Sequence, residues 1–165
     1  MRKTELAKAR WSEIDLEAAE WRIPAARMKK GEEHIVPLST QAIGIFEQLR
    51  SLSHGFELVF PNRSDPRRAM GPSRFNDMIR AVGYTGIFSP HGARSLASTA
   101  LNELGWRSDA IERQLAHAER SKVRAAYNRA EYMEERRAMM QAWADMVDGI
   151  AINANKVTPI KSAAA

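Results

Sequence analysis

The stretch from Ser89 to Tyr127 limits the possible folds more than any other part of the chain. It begins SPHGAR, with a favoured N-cap residue followed by proline at the first helical position. Gly105 supplies a stop, Ser108 opens a second helix expected over Asp109–His117, and a short helical segment carries Tyr127. His91 and Arg94 are three residues apart in the first helix, so they share a face. Free N–H groups at a helix start already favour an anion. An arginine fork binds a phosphate through two bonds at once, and a tyrosine hydroxyl can act as a covalent nucleophile. One arginine, two histidines (His91 and His117) and a tyrosine in one stretch therefore point to phosphoryl transfer without a metal. Taken singly, each has a plainer reading as a cap, a solvated charge or half-buried packing; the joint spacing carries the argument.

The rest of the chain reads as an α+β domain, mainly helical, with a small three-stranded antiparallel sheet. KTELAKAR at 3–10 has good helix formers. Over 11–38, WSEIDL and EWRIPA alternate apolar and polar residues around EAAE. RMKKGEEHIVPLS reads as two strands about a turn at Lys30–Gly31–Glu32. Lys29 and Lys30 then stand at a hairpin tip. Ser39 caps a helix over 40–52 with Ile43, Phe46 and Leu49 on one face. ELVF is a candidate short strand in the loop-rich run that follows, where Arg63, Arg67 and Arg68 are candidates for DNA-backbone contact. A helix from Ser73 to about Val82 should turn Phe75, Met78, Ile79 and Val82 inward. A last helix over about 130–147 should carry Tyr132, Met139, Met140, Trp143, Met146 and Val147 on one side, and the remainder reads as a disordered tail from 149 to 165.

Composition narrows the partners. A net charge of +5 and a pI of about 9.8 suit a nucleic acid. The absence of cysteine excludes disulfides and thiolate metal sites. No apolar run approaches a membrane span, the polar N-terminal residues lack a signal-peptide core, and the lack of cysteine favours a cytoplasmic location.

The segments WSEIDLEAAEWRIPAARMK, HIVPLS, PHGAR, LNELGW, AIERQLAH and VRAAYNRAEY resemble the catalytic domain of tyrosine recombinases, the phage-type integrases. The likeness is greatest to integrases of P4-like prophages and genomic islands, and it runs from Arg2 to about Asp148. The resemblance implies a catalytic set of Arg2, Lys29, His91, Arg94, His117 and Tyr127. Glu5 matches the family's acidic residue, Lys30 is the fallback lysine and Tyr132 the runner-up tyrosine. It implies cleavage and rejoining of double-stranded DNA through a 3′-phosphotyrosyl link, with no cofactor or metal, alongside other protomers in a tetrameric synaptic complex. The family's Pro-Gly after the first arginine is replaced by Lys3 and Thr4, an aromatic by Ala93 and a histidine by Ser95. Residues 1–148 are expected to be a catalytic domain lacking its first helices. The competing expectation is a non-catalytic remnant that binds DNA or another protomer, and the anchorage of Arg2 separates the two.

Overall fold

The computed structural model describes residues 1–29, 31–116 and 132–154. Helix α1 (Lys3–Ala7) is followed by a 3-10 turn at Trp11–Glu13 and strands β1 (Ile14–Asp15) and β2 (Glu20–Ile23). A second 3-10 turn, Ala25–Arg27, precedes β3 (His34–Pro37) and α2 (Thr40–Ser51). Then come α3 (Arg74–Ala81), α4 (Pro90–Glu103), α5 (Ser108–Gln114) and α6 (Met133–Ala154).

The three strands form one antiparallel sheet in the order β1-β2-β3, with Trp21 opposite both Ile14 and Val36. Trp21 and Ile23 point into the core while Arg22 faces solvent, the period-two alternation expected of a half-buried strand. The Trp21 ring meets Phe46 of α2 edge-on at a centroid separation of 6.4 Å, and Trp11 meets the same ring at 6.3 Å. A second cluster joins Leu101 of α4, Ile111 and Leu115 of α5, and Met139 of α6.

Several local expectations change. RMKK is not a strand: β3 pairs with β2 directly, and residues 24–33 form the connection. Pro24 lacks an N–H to extend the ladder, and its carbonyl instead accepts Arg27 N–H at 2.9 Å, closing the turn. Gly31 does take the left-handed backbone that its turn requires, at φ 69°. ELVF contributes only a single bridge, Leu58 to Arg10, although Leu58 and Val59 are buried. Ser39 and Ser89 cap α2 and α4, accepting N–H from Ala42 at 3.2 Å and Gly92 at 3.0 Å. Ser108 does not cap α5. Arg107 takes that position, and the Ser108 hydroxyl turns back to Asn102 at the end of α4.

Helix α5 stops at Gln114, ahead of its expected end, because Ala116 adopts a left-handed φ of 51°. Met78 and Val82 of the α3 region are exposed rather than inward; helical spacing names a face but not what covers it. Tyr132 lies before α6 rather than on its stripe, at φ 46°, with the Arg107 guanidinium 5.0 Å from its ring centre. Helix α6 runs past 147 to Ala154; the remaining tail, 155–165, is outside the described residues.

Candidate phosphate-binding site

Arg94 lies on the second turn of α4, and its guanidinium leaves the helix to grip two other parts of the chain. It donates to Met1 O at 3.0 Å and to Leu115 O, the carbonyl that follows α5. Both acceptors are neutral, so among the described residues no carboxylate cancels its charge by direct bonding. Partial burial, and then the nearby positive charge of Arg2, lower its pKa from the ordinary guanidinium value; Glu5 and Glu112 act in the opposite sense. Two arginines are thus held close enough to repel one another, an arrangement that an anion between them would relieve.

Arg2 is fixed from the other side. It is the N-cap residue of α1, and Glu5 reaches back to it twice. One carboxylate oxygen accepts the Arg2 backbone N–H, and the other accepts its guanidinium at 3.0 Å. The Glu5 side chain is only 5% exposed, so this bond is screened less than a surface pair. The same spacing recurs eight residues later, where Glu13 accepts the Arg10 backbone N–H at 3.3 Å.

The remaining candidates divide. His91 is exposed on the first turn of α4, on the face of Arg94. Lys29 is exposed on the 24–33 connection. Arg63, Arg67 and Arg68 are exposed on the loop between α2 and α3, which is closed by the Pro61–Ala69 bridge. Lys30, His117 and Tyr127 lie outside the described residues. Arg94 nevertheless binds the carbonyl two residues before His117, which joins the first turns of α4 to the end of α5.

Sequence reasoning missed three polar anchors around this site. Arg27 donates to Glu5 O at 2.6 Å and to the Glu13 carboxylate, which also accepts the Trp21 indole N–H at 3.1 Å. Arg136 of α6 is fully buried and donates to Gln114 Oε1 at 2.9 and 2.7 Å and to Ile35 O at 2.5 Å. His34 is 2% exposed, with its Nε2 3.3 Å from Gln114 O. Burial, then the positive charges of the amino terminus and Arg136, lower its pKa to about 3, which keeps the imidazole neutral. The partners of all three lie far away in the sequence, so no local spacing marks them.

Residues 1–134 match the Phage integrase family. Prophage integrase IntA of Escherichia coli (strain K12) is 51% identical over 146 residues, covering 88% of this chain and 35% of that protein. The integrase of Enterobacteria phage P4 is 46% identical across 94% of this chain and 38% of its own length. The crystal structure of XerA recombinase superposes with a TM-score of 0.59 at 20% identity, covering 82% of this chain and 53% of that one, a likeness of fold. The chain spans little more than a third of the length of these two integrases. A family match over 134 of 165 residues, joined to identities near one half, places the chain in the phage integrase family, as a tyrosine recombinase catalytic domain of the P4-like type.

Proposed function

We propose that the chain performs the strand cleavage and rejoining of site-specific DNA recombination. The Tyr127 oxygen attacks the scissile phosphorus and forms a 3′-phosphotyrosyl bond while the bond to the 5′-oxygen breaks. Lys29 gives that oxygen its proton as general acid, and His91 assists removal of the tyrosine proton. Arg2 and Arg94 hold the non-bridging oxygens as negative charge grows on them, and His117 donates a further hydrogen bond. Attack by a 5′-hydroxyl on the phosphotyrosine reverses the step. The bond energy is kept in the ester, so the reaction calls for neither nucleotide hydrolysis nor a redox partner.

The observation that carries this reading is the pairing of Arg2, at the start of α1, with Arg94 of α4, one held by Glu5 and the other by two carbonyls. The anchorage of Arg2 supports the enzyme over a non-catalytic remnant. Double-stranded DNA is the substrate, with Lys30, Arg63, Arg67 and Arg68 on its backbone. Other protomers complete a tetrameric synapse, and the work is done in the cytoplasm, on the nucleoid.

A nicked suicide duplex spanning the recombination site tests the proposal. The fragment beyond the nick diffuses away and traps the covalent intermediate. An adduct is expected with the wild-type chain and not with Tyr127→Phe. An adduct lost instead in Tyr132→Phe would contradict it.

A further inference from the structure

Arg27 has no part in the reaction described above, yet its guanidinium is placed between two elements that do. It lies two residues before Lys29, in the turn that begins the 24–33 connection. One of its nitrogens donates to Glu5 O at 2.6 Å, the backbone oxygen of the residue whose side chain holds Arg2. Another donates to Glu13, whose carboxylate is fixed in turn by Trp21 Nε1 at 3.1 Å. The side chains of Arg27 and Glu13 are 16% and 5% exposed.

Two further atoms of this pair, Arg27 Nε and Glu13 Oε1, are buried without a hydrogen-bond partner among the described residues. A buried ion pair that leaves polar atoms unsatisfied contributes little to net stability, and apolar side chains of the same volume would often do as well or better. Its planar fork does, however, fix direction: it sets where α1 stands relative to the connection that carries Lys29. Among the described residues of 24–33 the backbone bonds Arg27 N to Pro24 O, Met28 N to Ala25 O and Gly31 N to Met28 O are all local. They shape the turn without locating it against α1.

We propose that Arg27 is a positioning residue. Its bonds to Glu5 O and Glu13 hold the lysine-bearing connection against the helix that carries Arg2, so that the proton donor and the phosphate clamp are set together. The inference rests on the proposed role of Lys29 as general acid.

The test compares two suicide duplexes that differ in one atom. In one the scissile bridging atom is the normal 5′-oxygen. In the other it is sulfur, whose thiol has a pKa of about 8.5 and leaves without being protonated. Removal of a general acid slows cleavage of the oxygen substrate by on the order of a hundred- to ten-thousand-fold, and Lys29→Ala should show that loss and recover it with sulfur. Arg27→Met should lose roughly ten- to a hundred-fold with oxygen and return to within about threefold of wild type with sulfur. An equal loss with both substrates, or no loss with either, overturns the inference. So does a Lys29→Ala loss that sulfur fails to rescue. Absence of any wild-type adduct counts against the proposed function itself, and a second measurement then decides the inference separately. Hydrogen exchange in Arg27→Met should quicken at Met28 and Gly31 and, with them, at Leu6 and Ala9 of the α1 region, while Leu115 keeps its protection. Quickening confined to Met28 and Gly31 would show that nothing couples the two elements.

Discussion

The guanidinium of Arg94 reaches Met1 O and Leu115 O while standing within the field of Arg2, so its charge is oriented by neutral acceptors and left available to an anion. Lysine keeps the charge but cannot span both carbonyls with one rigid fork. Arg94→Lys should therefore slow phosphotyrosyl formation by on the order of a hundred- to a thousand-fold, measured in single-turnover cleavage, with DNA affinity nearly unchanged. A proportionate fall in duplex affinity would make Arg94 a ground-state contact instead. The place of His91 and Arg94 was legible in SPHGAR because cap, proline and i,i+3 spacing are local properties. The Arg27 and Arg136 bonds were not: they join residues 22 and 101 positions apart, and no local pattern encodes such partners.

At the level of elements, β3, α5 and α6 meet around His34, Gln114 and Arg136. Arg136→Ala would strip Gln114 Oε1 and Ile35 O of a charged donor in a buried place. It should cost about 3 kcal/mol in urea unfolding. His34 gives this junction a pH dependence. Its pKa is about 3 in the fold and about 6.5 in an unfolded chain, so between those values only the unfolded chain takes up the proton. Stability is therefore fully present above the unfolded value and declines as pH falls through that window. The loss by pH 5 is roughly 2 kcal/mol. His34→Gln should make the plot of unfolding free energy against pH shallower between 5 and 7, the remaining slope coming from the Met1 amino group, whose pKa burial lowers to about 5; an unchanged slope would assign it to other groups. Helices α2 and α4 were legible, with their caps, from Ser39 and Ser89. The 24–33 connection was misread because the turn at Lys30–Gly31–Glu32 suggested a strand on each side of it, whereas Pro24 had already ended the ladder. The left-handed φ of Ala19, Ala116 and Tyr132 left no glycine to mark it.

Over the whole molecule, a net charge of +5 is distributed so that Arg63, Arg67 and Arg68 stand exposed on one loop. If they meet backbone phosphates, duplex affinity should fall steeply with salt, and each arginine-to-alanine change should reduce the log–log slope by about 1. The reaction is defined by which oxygen takes the phosphate. The chain has three tyrosines, and two have other surroundings: Tyr84 is 54% exposed after α3, and Tyr132 stands against the Arg107 guanidinium. The most direct measurement is to trap the DNA adduct, digest it, and locate the nucleotide-bearing peptide by tandem mass spectrometry. The modification is expected on Tyr127 and on no other residue; a phosphodiester found on Tyr84, on Tyr132 or on a serine would contradict the account.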